Sequence, residues 1–191
     1  VTPYYNKPSQ RGLVAHYTKI AESVDIPQIL YNVPSRTACD MLPATIKILS
    51  DVTNIVGVKE ATGDIDRGKE VMQLCSEDFA VYSGDDATSL ELMLAGAVGS
   101  ISVTANVVPD QLQEMCRLAM AGEGDAAGKI NEKIASLHEL LFLEANPVPV
   151  KWALKEMGMV GPGIRLPLVE LDTICHEELQ QALFASGAIQ V

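Results

Sequence analysis

A chain of 191 residues, 48% hydrophobic and 20% charged, without a low-complexity tract, is long enough to bury a globular core and excludes a disordered segment. A formal net charge of −11 with no lysine/arginine cluster excludes nucleic acid as a partner. No apolar run reaches the roughly 18 residues a membrane-spanning helix needs, and the four cysteines lack the C-x-x-C spacing that would join the three histidines in a zinc site. No membrane and no metal are therefore expected, and the thiols read as reduced, as in a cytoplasm.

The chain opens Val1-Thr2-Pro3-Tyr4-Tyr5, without methionine and without a secretory-signal pattern. It reads as the end of a strand running into a loop, so an upstream part is expected. Ser9 precedes a helical run with apolar Leu13, Tyr17, Ile20 and Val24. Gln28 to Val33 reads as a short apolar strand, Pro43 opens a helix to about Leu49, and Ile55 to Lys59 is the next strand. Asp64 caps a helix carrying Ile65, Met72 and Cys75. Ala80 to Ser83 is a strand ending in Gly84-Asp85-Asp86, with Asp86 expected to cap the helix marked by Leu90, Met93, Leu94 and Ala97. Gly99 to Thr104 reads as a fourth strand, and Pro109 opens a helix with Leu112, Met115 and Leu118.

These strands are apolar on both sides of the pleat and recur about every 20 to 27 residues, the pattern of β-helix-β crossovers in a buried parallel sheet. An open doubly wound sheet fits that alternation too, but no G-x-G-x-x-G or Walker loop follows any strand. Polar residues gather just past the strand ends, at Tyr31 to Arg36, Lys59 to Thr62, Gly84 to Asp86 and Thr104 to Asn106. In a (β/α)8 barrel those ends share the active face. Only four strands and the remnant at Val1-Thr2 are visible, so residues 1–122 read as part of such a barrel. Residues 123–191 read as a C-terminal helical domain: Ile130, Ile134, Leu137, Leu140 and Leu141 form one amphipathic stretch, and Pro147 to Met157 and Glu177 to Ser186 two more. Such an appendix often serves oligomerisation.

Lys59 is the first candidate for chemistry. An apolar strand end lowers a lysine's pKa, and a neutral amine attacks a ketone to form an imine, an electron sink for carbon–carbon bond chemistry. The plainer alternative is a surface lysine paired with Glu60. Tyr31, ending the preceding strand, can relay protons to such an imine or be a core tyrosine. Arg36, past Pro34 in a loop, offers a planar fork suited to a substrate carboxylate, or is simply solvated. One of the adjacent Tyr4 and Tyr5 is expected to point inward, or both belong to an aromatic interface patch. Gly84 lets a small ligand approach the backbone. Asp85 and Asp86 alone make a poor metal cage. Ile101, between Ser100 and Ser102, lines a pocket through its main chain or packs in the core.

Two stretches, Tyr31-Asn32-Val33-Pro34-Ser35-Arg36-Thr37 and Ile55-Val56-Gly57-Val58-Lys59-Glu60-Ala61-Thr62-Gly63, closely resemble the signature of the dihydrodipicolinate synthase family. Val1 to Ser9, Tyr82 to Asp86, Ser100 to Asn106 and Asn146 to Trp152 are also similar. The resemblance implies the C-terminal half of a (β/α)8 TIM barrel, about strands 5 to 8 with the end of strand 4, followed by a helical domain. It implies a class I aldolase-type lyase, a 4-hydroxy-tetrahydrodipicolinate synthase. Such an enzyme condenses pyruvate with L-aspartate 4-semialdehyde on the route to diaminopimelate and lysine. No cofactor is implied beyond the covalent imine between Lys59 and pyruvate. Tyr31 would relay protons, and Tyr5 would reach across a tight-dimer interface into the neighbour's site. Arg36 would hold the aldehyde's carboxylate. Gly84 and Ile101 would shape the pyruvate pocket, and Tyr4 would lie near a lysine feedback site. The assembly implied is a homotetramer, a dimer of dimers, in the cytoplasm. The family's N-terminal third, which carries a Gly-Thr-Thr-Gly-Glu segment, has no counterpart in these residues. The alternatives are an N-acetylneuraminate lyase-like enzyme, a branch that Arg36 argues against, another pyruvate-dependent aldolase, and an inactive fragment that acts only in assembly.

Overall fold

The structure, a computed structural model, describes residues 1–190. It divides into two compact units, Val1–Ile101 and a second beginning at Ser102.

The first unit alternates helices and strands: α1 (Gln10–Ser23), β1 (Gln28–Asn32), α2 (Pro34–Thr37), α3 (Pro43–Ser50), β2 (Ile55–Glu60), α4 (Ile65–Leu74), β3 (Ala80–Ser83) and α5 (Ser89–Leu94). The strands form a parallel sheet in the order β1-β2-β3. Helix starts follow their sequence signals. The Ser9 hydroxyl accepts from Gly12 N–H at the head of α1, the Asp64 carboxylate accepts from Arg67 N–H at the head of α4, and Pro43 takes the first turn of α3.

Side chains alternate across the sheet. Leu30, Val58 and Val81 point to one face. There they join Leu13, Tyr17 and Ala21 of α1, Ile46 and Leu49 of α3, and Val71 of α4 in the buried core. Burying a side chain of this size contributes roughly 1.5–3 kcal/mol, which holds the helices on that face. Tyr31, Lys59 and Tyr82 lie in register on the other face, one from each strand. On α1 the buried set is Leu13, Tyr17 and Ala21, whereas Ile20 and Val24 are exposed.

Three local features depart from the sequence expectation. The segment from Gly99 to Thr104 is not a full strand. Val98, Gly99 and Ile101 continue the hydrogen-bond ladder along β3, but only Ser83 and Ser100 form a bridge, and a 3₁₀ turn (Thr104–Asn106) follows. Pro34–Thr37 is a helical turn, ended by Ala38 in the left-handed region. Asp86 does not cap α5. Thr88 is the N-cap residue, and the Asp85 carboxylate accepts from Thr88 N–H and its hydroxyl at 3.1 and 2.7 Å. At the chain start Thr2 N–H donates to the Tyr31 carbonyl, so Val1-Thr2 runs along the free side of β1.

The second unit is helical: α6 (Pro109–Met120), α7 (Gly124–Leu140), α8 (Val148–Glu156), a 3₁₀ turn (Thr173–Cys175) and α9 (His176–Ser186). Leu112, Met115 and Leu118 of α6, Ile134 and Leu137 of α7, and Leu179 and Leu183 of α9 are buried. Within this unit α6 packs against α7, and α7 against α9. Among the described residues no helix is long and apolar enough to cross a membrane.

Candidate functional site

Lys59 is the penultimate residue of β2 and faces Tyr31 of β1 directly in register. Its Nζ lies 4.4 Å from the centroid of the Tyr31 ring. Burial pulls the amine below the ordinary lysine range. The Asp86 carboxylate works against that shift and the Arg36 guanidinium adds to it. The phenol face favours the ammonium form, by about 0.5–1 kcal/mol at a wet site. Burial pushes the Tyr31 phenol up, and Arg36 opposes that rise. Amine and phenol are thus both held toward their neutral forms beside one another, the state in which one can attack a carbonyl and the other can pass a proton.

Glu60 is not the partner of Lys59. Strand alternation turns it to the helix side, where its side chain is 2% exposed and lies 3.4 Å from Arg67 Nε. The reading of Lys59 as half of a surface ion pair with its neighbour is therefore excluded.

Arg36 lies in α2 and is exposed, close enough to act electrostatically on both Lys59 and Tyr31. Gly84, directly after β3, donates its N–H to the Glu60 carbonyl at 2.7 Å. A Cβ there would stand 2.6 Å from Ala61 Cβ and 2.8 Å from Lys59 Cε. The missing side chain is what lets the backbone of this loop run against the lysine stem. Ile101 donates its N–H to the Ser83 carbonyl, and its side chain is 43% exposed. Tyr4 and Tyr5 sit in a turn near the chain start, 68% and 93% exposed. The structure thus brings Lys59, Tyr31, Gly84 and Arg36 together and leaves the Tyr4-Tyr5 pair on the surface of the single chain. Among the described residues no group of three or more histidine, cysteine or acidic side chains is placed to hold a metal ion.

Sequence reasoning missed Asn32, Asp40, Glu60 and Arg67, which form a polar cluster behind the site. It also missed Tyr82, in register with Lys59 on β3. The one available signal was strand parity, since residues 32 and 60 must face opposite to residues 31 and 59.

A partly buried lysine set against a tyrosine at the carboxyl end of a parallel α/β sheet is the class of site that this geometry defines. The family model for the dihydrodipicolinate synthetase family matches residues 1–186. The 4-hydroxy-tetrahydrodipicolinate synthase of Ectopseudomonas mendocina is 59% identical over 189 residues, covering 99% of this chain and 65% of that protein. The enzyme of the same name from Pseudomonas aeruginosa is 58% identical over the same shares. Among solved structures, the chloride-inhibited dihydrodipicolinate synthase of Acinetobacter baumannii complexed with pyruvate superposes with a TM-score of 0.97 at 53% identity, covering 98% of this chain and 65% of that one. The Thermotoga maritima dihydrodipicolinate synthase gives 0.95 at 42% identity, with the same coverage. The chain belongs to the dihydrodipicolinate synthetase family. It spans about 65% of the length of the curated relatives it matches.

Proposed function

We propose that this chain carries the imine-forming centre of a 4-hydroxy-tetrahydrodipicolinate synthase. The observation that carries this reading is the half-buried amine of Lys59 over the Tyr31 ring, at 4.4 Å. Support comes from relatives of that name at 58–60% identity and from the Acinetobacter baumannii relative, whose structure contains pyruvate.

In this reading the neutral Lys59 amine attacks the ketone carbon of pyruvate. The resulting carbinolamine loses water to give the imine, its hydroxyl leaving with a proton passed through Tyr31. Loss of a methyl proton gives the enamine, and its carbon attacks the aldehyde carbon of L-aspartate 4-semialdehyde. The new alkoxide takes a proton. The substrate's amino group then displaces Lys59 from the imine carbon, closing the ring and returning the free amine. No cofactor enters this sequence. Arg36 is assigned to the carboxylate of the aldehyde substrate, Gly84 and Ile101 to the wall of the pyruvate pocket, and Tyr4 to a lysine feedback site. Tyr5, 93% exposed in the single chain, is free to enter a neighbouring copy's site.

The three-stranded sheet and the segment from Gly99 that runs along β3 are read as strands 5 to 8 of a (β/α)8 barrel, its C-terminal half, with the end of strand 4 at Val1-Thr2. Tyr31, Lys59 and Tyr82 would face its interior, and the helical residues 123–191 would follow it. A cytoplasmic homotetramer, built as a dimer of dimers, completes the reading. It is tested by supplying pyruvate and L-aspartate 4-semialdehyde and following product. Turnover that disappears in Lys59→Ala supports it. Turnover unaffected by that change, or turnover of N-acetylneuraminate instead, contradicts it. A folded protein without any turnover favours the assembly-only fragment.

A further inference from the structure

Lys59 and Tyr31 are each followed by a residue that points through the sheet to the helix side, and those two residues, Glu60 and Asn32, are themselves in register. Asn32 is completely buried and Glu60 nearly so. Asn32 Nδ2 donates to Glu60 Oε2 at 3.2 Å and to Asp40 Oδ1 at 3.0 Å, while its Oδ1 accepts from Met41 N–H at 2.9 Å. Glu60 Oε1 accepts from Thr62 N–H at 2.9 Å, tying down the loop that leaves β2. Arg67, from α4, closes the cluster. It donates twice to Asp40, at 3.1 and 2.8 Å, and once to the Met41 carbonyl, at 2.7 Å, and stands 3.4 Å from Glu60 Oε2. Two carboxylates and one guanidinium behind a three-stranded sheet are a costly way to fill space. The Arg67–Glu60 pair is largely buried and the Arg67–Asp40 pair partly so; buried ion pairs often add no net stability, and their best-attested use is to select one arrangement.

We propose that Asn32 and Glu60 are a positioning pair for the opposite face of the sheet, clamped by Arg67 and Asp40. Their contact holds the ends of β1 and β2 in the register that sets the Lys59 amine over the Tyr31 ring. Its consequence for turnover rests on the imine reading of Lys59; the geometry does not. A displacement of about an ångström at a reacting group costs on the order of a hundredfold in rate. Among the described residues Tyr31 from β1, Arg36 from α2 and Asp86 after β3 act on Lys59. None of these three belongs to the clamp, and Arg67→Lys leaves the clamp's charge unchanged, so a change in Lys59 in that variant reports position.

The test uses Glu60→Gln and Arg67→Lys. The first keeps volume and an acceptor for Thr62 N–H but confronts the Asn32 amide with a donor. The second keeps a cation for Asp40 but loses the fork. Competitive labelling with trace acetic anhydride, read peptide by peptide by mass spectrometry across pH, follows Lys59 with no substrate present. In the parent its labelling midpoint falls below that of Lys19, whose side chain is 79% exposed. In both variants the midpoint climbs toward that of Lys19, although circular dichroism still reports a folded chain. Where pyruvate is turned over, kcat per trapped site falls roughly tenfold to a hundredfold, with KM for pyruvate held within about twofold. If one variant does not fold, the other decides. A midpoint unmoved in a folded variant, a parent midpoint equal to that of Lys19, or the loss of folding in both variants overturns the proposal. Pyruvate trapping on the parent stands apart: a parent that takes no pyruvate but whose midpoint moves on clamp mutation loses the imine reading and keeps the positioning pair.

Discussion

Lys59 Nζ lies 4.4 Å from the centre of the Tyr31 ring, and the two residues are partners in the register of adjacent parallel strands. Strand pairing, not loop conformation, sets this contact, so the amine and the phenol are held by the β1–β2 ladder.

Tyr31→Phe keeps the ring under the amine and removes only the hydroxyl. Lys59 should still form an adduct with pyruvate at long times. The rate of adduct formation should fall by roughly a hundredfold or more, the contribution of a positioned acid–base group. A borohydride-quenched time course by intact mass measures this, and an unchanged rate would remove Tyr31 from proton relay.

Gly84→Ala places a methyl group 2.6 Å from Ala61 Cβ and 2.8 Å from Lys59 Cε, closer than carbon atoms pack. Ala61 Cβ is fixed to its backbone, so the loop leaving β2 must shift along with the lysine stem. The expected result is a folded protein whose Lys59 reacts with pyruvate at least about tenfold more slowly, since a misplaced reactant loses its proximity advantage.

Burial lowers the Lys59 pKa in the folded chain relative to the unfolded one, where the amine titrates near its ordinary value of about 10.4. Between the folded and unfolded values the unfolded state therefore binds more protons, and stability rises with pH through that window. Below it the charged amine is a standing cost to the fold. Lys59→Met should accordingly be more stable than the parent at neutral pH, and the difference should vanish as pH rises past the ordinary lysine value. Urea midpoints measured across pH give the answer. A difference that grows with pH would mean the amine is not desolvated.

Ala38 holds φ at 52°, ending the short helix that presents Arg36. A Cβ in the left-handed region costs about 1–2 kcal/mol, and glycine returns part of that gain through unfolded-chain entropy. Ala38→Gly should stabilise the protein by a net of about 0.5–1 kcal/mol, a Tm rise of roughly 2 °C by calorimetry.

Much of the first unit could be read from residue pattern, and the reasons are local. Ser9, Pro43 and Asp64 mark helix starts through chemistry that acts within a turn, and the apolar runs at Gln28 to Val33 and Ile55 to Lys59 are strands because both faces must avoid water. Asp86 misled because two carboxylates stand side by side, and which of them reaches the Thr88 N–H depends on how the chain leaves β3. Gly99 to Thr104 misled because β-branched composition does not supply a second neighbouring strand. Within the site, Lys59 and Tyr31 were visible as strand-end residues. The Asn32–Asp40–Glu60–Arg67 cluster was not, because its members come from four separate segments that only folding brings together.

The most direct measurement is reduction of the protein with borohydride in the presence of pyruvate, followed by peptide mapping. The prediction is the mass of one reduced pyruvate per chain, on the peptide that holds Lys59. A folded chain left unmodified, or modified at an exposed lysine such as Lys19 instead, would contradict it.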